Sequence, residues 1–154
     1  MVEIRNILYT TDFSEYAKYA LPYAVEMADK FDATLHCLYV VEPINTPVDF
    51  GWTEVNYVEL EEQHTDHARK SLEKLIREEL PEHIKRKVHI SHGRSFKEII
   101  DFSRENEIDM IVMATHGLSG LSHILFGSTT EKVVRKSACP VLTIRNPDHE
   151  FEMP

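Results

Sequence analysis

The chain has 154 residues, of which 42% are hydrophobic, and its formal net charge at pH 7 is −9. This length and apolar content are sufficient for one buried core without disulfides or metals. The acidic charge argues against a nucleic acid or an anionic membrane as partner, because each would need a basic protein face.

The first part of the chain predicts a strand, a helix and a second strand. Residues 4–9 and 33–41 are rich in aliphatic, aromatic and β-branched residues, which is typical of strands. Between them, residues 14–31 place alanine and leucine at helical spacing. Pro22 lies inside this helix and predicts a bend, because proline removes one backbone hydrogen bond. Together the three elements form a β-α-β unit.

The middle of the chain repeats this alternation. Residues 57–80 carry an apolar stripe opposite a charged face and are followed by Pro81, which predicts a long amphipathic helix. Residues 87–91 and 108–113 predict the third and fourth strands. The apolar run within the fourth is continuous, which favours a parallel strand covered by helices on both faces.

Two further helices are predicted from capping-box spacing. The sequences Ser95-Phe96-Lys97-Glu98 and Ser128-Thr129-Thr130-Glu131 each place a serine three residues before a glutamate, so the serines are the expected N-caps. The second helix covers residues 128–136, and residues 140–144 form the fifth strand. We expect residues 147–154 to be a loose tail.

Strands and helices that alternate along the chain indicate an α/β protein. We predict a five-stranded, doubly wound, Rossmann-like parallel sheet with strand order 3-2-1-4-5 and helices on both faces, in one domain over residues 1–146. No apolar stretch approaches the roughly 20 residues that span a bilayer. The start of the chain shows no signal-peptide pattern, so we expect a cytoplasmic protein with no membrane partner.

In such sheets, ligands bind beyond the carboxyl ends of the strands. The segment that follows the fourth strand carries Thr115, His116 and Gly117 and ends at Gly127, where a helix begins. Glycine lets the backbone approach a ligand, and helix N-termini attract anions, so this segment predicts a phosphate site in which His116 is a candidate donor. The sequence has neither a Walker lysine nor a G-x-G-x-x-G after the first strand.

Two of the candidate residues have structural explanations that remain open. The Asp12 carboxylate could accept from an exocyclic amine or a hydroxyl, but an Asx turn at the start of the first helix also accounts for an aspartate there. Ser128 fits a phosphate ligand and a helix cap equally well. His64 and His67 lie three residues apart without a nearby third ligand, which favours a solvated helix face over a metal site.

The segment Ala114-Thr115-His116-Gly117, followed after nine residues by Gly127-Ser128, resembles the G-x-x-G-x9-G-[S/T] nucleotide motif of the universal stress protein family. Residues 9–15 and 139–142 resemble the opening and closing segments of that family, so the resemblance extends over nearly the whole chain. Ala114 replaces the first glycine of the motif, which requires a negative φ at this position.

This resemblance implies a bound adenine nucleotide, ATP or AMP, with or without Mg²⁺. Adenine is then held by Asp12 and Val40, and the same wall is completed by Thr10 and Thr11. The ribose and phosphates lie against Met113, Ala114 and Gly117, and the phosphates accept from Gly127, Ser128 and Thr129. The resemblance also implies a homodimer in which the last strands pair antiparallel, as an apolar edge strand would favour.

We therefore expect a nucleotide-binding module in stress response or signalling. A slow ATPase or phosphotransferase and a nucleotide-free dimeric scaffold of the same fold remain as alternatives. Phosphoryl transfer needs a positioned base and usually a metal held by a carboxylate, but no acidic residue occurs between Ala114 and Ser128. We assign no catalytic residue and no metal ligand from a protein side chain.

Overall fold

The computed structural model describes residues 2–43, 57–116 and 126–146. Within these ranges the strands are Asn6–Thr11 (β1), Thr34–Val41 (β2), Arg86–His92 (β3), Met110–Ala114 (β4) and Val141–Ile144 (β5). The helices are Glu15–Phe31 (α1), Tyr57–Glu79 (α2), Ser95–Glu105 (α3) and Ser128–Lys136 (α4). All neighbouring strands are parallel and their order is β3-β2-β1-β4-β5, which confirms the predicted fold.

Helices cover both faces of the sheet because successive strand residues point to opposite sides. Ile7 and Tyr9 of β1 pack in one core with α1 and α2, where Leu72 is fully buried. Leu8, between them, packs in a second core with α3 and α4, where Val133 is fully buried. The sheet is therefore a central layer with a separate apolar core on each face.

The first strand lies two residues later than predicted, which places Thr10 and Thr11 inside β1. Hydrogen bonding, and not residue composition, explains the later start of this strand. The backbone N–H groups of Arg5 and Asn6 donate to the Asp109 carboxylate, at 2.8 and 2.9 Å. Strand pairing with β2 begins only at Asn6 and continues to Thr11.

Helix α4 has the predicted bounds, residues 128–136, and α1 begins one residue after the predicted Ser14, but the N-caps expected for α3 and α4 are not found. Ser14 caps α1, because its Oγ accepts from the Ala17 N–H at 3.1 Å. The N-caps of α3 and α4 are Arg94 and Gly127, and neither makes a side-chain cap hydrogen bond. The capping boxes at Ser95 and Ser128 are therefore wrong, and each serine is the first residue of its helix.

Two histidines, a buried one in β2 and a partly buried one in β3, stack under α3. The rings of His36 and His89 have centroids 5.2 Å apart and an angle of 8° between their planes, and the edge of each meets Phe102. His36 Nδ1 lies 3.2 Å from His89 Nε2, and His36 Nε2 lies 3.2 Å from Asn6 Oδ1. The Asn6 amide nitrogen donates to the Glu107 carbonyl, which leaves Oδ1 as the acceptor for His36 Nε2–H.

This chain of hydrogen bonds fixes the proton positions. With Nε2–H donating to Asn6, a neutral His36 has only Nδ1 left as an acceptor, and His89 Nε2–H donates to it. Protonation of His36 at Nδ1 would require His89 to move its proton from Nε2 to Nδ1, since two N–H groups would otherwise face each other. Burial, His89 and Lys87 together lower the pKa of His36 to about 4, and burial lowers the pKa of His89 as well.

None of the helices in the described ranges is both long enough and apolar enough to cross a membrane.

Candidate functional site

A cavity of about 730 Å³ lies at the carboxyl edge of the sheet. Every predicted site residue that the structure describes lines it: Thr10, Thr11, Asp12, Val40, Met113, Ala114, His116, Gly127, Ser128 and Thr129. The remaining one, Gly117, lies outside the described residues together with residues 118–125. The cavity volume falls within the range of roughly 300–1,000 Å³ that small-molecule sites occupy.

The cavity has a wall on each face of the sheet. One wall comes from α1 and α2 and consists of Ala17, His64, His67, Ala68 and Ser71. The other comes from the first turns of α3 and α4, so two helix N-termini border the same space. In the sheet order, α4 follows β4 on one side of β1, and α3 follows β3 on the other. The cavity therefore extends across the sheet between these two helix ends.

The N-terminus of α4 is attached to the end of β4 by backbone and side-chain hydrogen bonds. The Gly127 N–H donates to the Thr115 carbonyl at 2.7 Å, and the Thr115 N–H donates to the Ile144 carbonyl at 3.0 Å. The hydroxyl of Thr130, which is only 4% exposed, donates to the Ala114 carbonyl at 2.9 Å. These bonds, which we call the β4–α4 clasp, hold the start of α4 beside the cavity.

The α4 end of the cavity is suited to an anion. The first N–H groups of a helix have no acceptor within the helix, and the helix dipole adds partial positive charge there. Ser128, at this position, is exposed and lines the cavity with Thr129. Among the described lining residues there is no lysine or arginine, so an anion here would be bound by amides and hydroxyls.

Asp12 directly follows β1, the strand next to β4, and makes the Asx turn that the sequence left open. Its Oδ1 accepts from the Ser14 N–H at 3.0 Å. This turn uses one of the roughly four acceptor positions of the carboxylate. The turn fixes the orientation of the side chain that lines the cavity.

Phe13 is a site residue that the sequence analysis missed. Its φ is 62°, in the left-handed region that bulky residues rarely adopt, and its N–H donates to Thr11 Oγ1 at 3.0 Å. In this conformation the Phe13 ring stacks on Tyr39, with centroids 4.7 Å apart and 27° between the planes. Strained backbone of this kind is concentrated at functional sites. Two aromatic residues at neighbouring strand ends were the only signal in the sequence.

Tyr39 lies on β2, near the two acidic residues that line the cavity, Asp12 and Glu42. Burial raises the pKa of its hydroxyl, and the nearby carboxylates of Asp12 and Glu42 raise it further. The hydroxyl therefore stays protonated at neutral pH and can donate a hydrogen bond. This gives the cavity one aromatic wall and one acidic end.

Ala114 satisfies the requirement for a negative φ that its methyl group imposes. It is the last residue of β4, and it is not among the described residues with positive φ. The alanine is therefore accommodated without backbone strain at the position of the motif's first glycine. Its carbonyl accepts the hydrogen bond from the Thr130 hydroxyl in the clasp.

The histidines of the cavity occupy two different settings. His116 is buried and its Nδ1 lies 3.0 Å from Thr115 Oγ1, so part of its hydrogen bonding is internal. His64 and His67 are exposed, as expected of a solvated helix face, but they also line the cavity. In the described ranges, no group of three or more His, Cys, Asp or Glu residues is arranged to hold a metal ion.

Comparisons with known proteins agree with this architecture. The model of the universal stress protein family matches residues 3–145. Universal stress protein MJ0531 of Methanocaldococcus jannaschii is 31% identical over 149 residues, which are 95% of this chain and 85% of that protein.

Two solved structures extend the comparison to three dimensions. Universal stress protein UspA from Lactobacillus plantarum is 29% identical, with a TM-score of 0.77 over 94% of this chain and all of that one (100%). A universal stress protein in complex with cAMP is 17% identical, with a TM-score of 0.62 over 94% and 98% of the two chains, a likeness of fold alone. From the family match and the identity to MJ0531, this chain belongs to the universal stress protein family.

Proposed function

We propose that this protein binds an adenine nucleotide, ATP or AMP, in the cavity at the carboxyl edge of the sheet, as a module in stress response or signalling. The observation that carries the proposal is one cavity that is lined both by a carboxylate, Asp12, and by the N-terminus of α4. A base with an exocyclic amine and a phosphate are the two ends of one such ligand.

The remaining lining residues fit this ligand. The stacked rings of Phe13 and Tyr39 provide an apolar surface at the Asp12 end, as a purine would need. Met113 and Ala114 at the end of β4 lie between Asp12 and α4 in the sheet order, where the ribose would be. A universal stress protein of the same fold has been solved with cAMP, an adenine nucleotide.

Magnesium, if it accompanies ATP, would be carried by the phosphates. Mg²⁺ commonly binds through one or two carboxylates and substrate phosphates and keeps several waters. The described residues at the α4 end offer hydroxyls and amides and no carboxylate within the first turn except Glu131, whose Oε1 pairs with Arg135 at 3.1 Å. We therefore expect AMP, which needs no metal, to bind in the presence of a chelator.

The test of the adenine end is Asp12→Asn, measured by calorimetric titration with AMP. Asparagine keeps the Oδ1 acceptor for Ser14 N–H, so the turn remains, but it loses the charge that favours an exocyclic amine. We expect AMP affinity to fall about tenfold, because a hydrogen bond to a charged group contributes about 1.5–3 kcal/mol. The thermal midpoint should change little. Asp12→Ala is a less clean test because it also removes the turn.

Two results would count against adenine-nucleotide binding. One is that wild-type protein releases no nucleotide on denaturation and binds neither AMP nor ATP in titration. The other is that Asp12→Asn binds AMP as well as wild type does, which would remove Asp12 from the site. Turnover of ATP beyond one equivalent would instead favour the ATPase alternative.

We also propose that the protein is a homodimer that pairs through β5. Among the described strands β5 pairs only with β4, and Val141, Leu142 and Thr143 are each only partly buried. An exposed apolar edge strand offers unpaired backbone groups to a second copy. Light scattering at tens of micromolar, roughly the range in which weak dimers associate, should give twice the monomer mass. A monomer at every concentration would contradict this proposal.

A further inference from the structure

Glu42 lines the cavity beside the N-terminus of α3. It follows β2 directly, and its Oε1 accepts from the Ser95 N–H at 2.9 Å. Ser95 is the first residue of α3, and both residues line the cavity. The N-terminus of α3 is therefore occupied by a carboxylate of the chain itself, in the position that an anionic ligand would take at a helix start.

The surroundings of Glu42 would attract an anion if Glu42 were absent. Hydrogen bonds from Ser95, and to a smaller degree Lys132, lower the pKa of the Glu42 carboxyl, which is therefore charged at neutral pH. The Lys132 ammonium lies 4.8 Å from the centroid of the Phe96 ring, and the Lys136 ammonium lies 5.8 Å from it. An unoccupied helix start beside lysines is a favourable place for a phosphate or carboxylate.

The two helix N-termini that border the cavity thus differ in charge. At the start of α4, none of the described residues that line the cavity has a carboxylate, and the N-cap is Gly127. At α3 the negative charge of Glu42 is held in place by a hydrogen bond. A ligand with one anionic end has one favourable orientation, with that end at α4. Glu42 is exposed, but its hydrogen bond to Ser95 keeps its charge at the start of α3, so a second anionic group bound there would be repelled at short range.

We propose that Glu42 is a specificity-determining residue that closes the α3 end of the cavity to anions. The site then selects adenine nucleotides whose negative charge is confined to the 5′-phosphates and rejects those with a second anionic group on the ribose or the base. This inference rests on the proposed nucleotide-binding function and adds a rule for which nucleotides bind.

The test compares AMP with two probes that each add anionic charge to it, one phosphate in the first and two carboxylates in the second. Adenosine 3′,5′-bisphosphate carries the phosphate on the ribose, and N6-succinyl-AMP carries the carboxylates on the base. Calorimetric titrations with all three ligands are made on wild type, Glu42→Gln and Glu42→Ala. Glutamine keeps the size and the acceptor oxygen of Glu42, so the Ser95 contact and the fold are retained while the charge is removed.

We expect Glu42→Gln to improve the affinity for at least one probe, relative to AMP, by about tenfold, since removing one nearby like charge has an effect of this order. Glu42→Ala should improve it further, because the Ser95 N–H then becomes available to the ligand. The matched control is Glu105→Gln, which removes the same charge from the last residue of α3 and should leave all three affinities unchanged.

The outcomes separate this inference from the function on which it rests. If wild type does not bind AMP, the proposed function is wrong and the specificity rule fails with it. If AMP binds and the ratio of probe to AMP affinity is the same in wild type, Glu42→Gln and Glu42→Ala, only the role of Glu42 is overturned. Equal binding of AMP and both probes by wild type would overturn it as well.

Discussion

Ser128→Pro is expected to weaken ATP binding by at least about a hundredfold and to leave the fold intact, because it removes an amide donor and a hydroxyl, each worth about 1.5–3 kcal/mol to a charged acceptor. Ser128 is the first residue of α4, a position at which proline is well tolerated. The preceding residue, Gly127, has φ −62° and ψ 156°, which is the conformation that proline requires before it.

The control is Ser128→Ala, which removes only the hydroxyl. Titrations with ATP and with adenosine then separate the contributions, since adenosine has no phosphate to contact α4. We expect the alanine variant to lie between wild type and the proline variant for ATP, and all three to bind adenosine equally. A proline variant that retains wild-type affinity for ATP would show that the phosphates do not contact the start of α4.

Acidification from about pH 7.5 to about pH 5 is expected to lower the free energy of unfolding by about 2 kcal/mol through His36 alone. The folded protein holds His36 neutral, with a pKa of about 4, because of burial and the neighbouring His89. The unfolded chain takes up the proton near the ordinary value of 6.5. Stability from this group is therefore fully present above that value and is lost as the pH falls toward 4.

Urea unfolding of the nucleotide-free protein at both pH values measures this loss. His36→Gln removes the titrating group, so the difference between the two pH values should shrink by about the same 2 kcal/mol even if the variant is less stable overall. Lys87 and Arg69 are the cations that act on the pair besides the histidines themselves. His64→Gln, at an exposed position on α2, is the matched control. An unchanged pH difference in His36→Gln would assign the acid sensitivity to other groups.

The order and type of the elements were readable from the sequence because each has a strong local pattern. The apolar stripe of α2, with Ala68, Leu72 and Ile76 buried, and the continuous apolar run of β4 both indicate which surfaces meet the core. Once parallel strands and helices alternate, the edge at which their carboxyl ends meet is determined, and most of the cavity residues follow from it.

The features that the sequence did not predict all depend on contacts between distant segments. The start of α3 is satisfied by Glu42, which is 53 residues away from Ser95, so no local capping pattern could indicate it. The stack of His36 on His89 needs the register of β2 on β3, which only the folded sheet determines. Ser128 has a capping-box pattern in the sequence, but Gly127 is the N-cap of α4 and no side chain makes a cap hydrogen bond there.

The β4–α4 clasp has a consequence for the connection between β4 and α4. Because the Thr115 carbonyl and the Gly127 N–H are joined directly, the chain between them leaves and returns at one fixed point. Doubling the length of such an excursion costs only roughly 0.6 kcal/mol in closure entropy. By this measure the connection between the two residues adds little to the closure free energy, and the hydrogen bond itself keeps the start of α4 beside the end of β4.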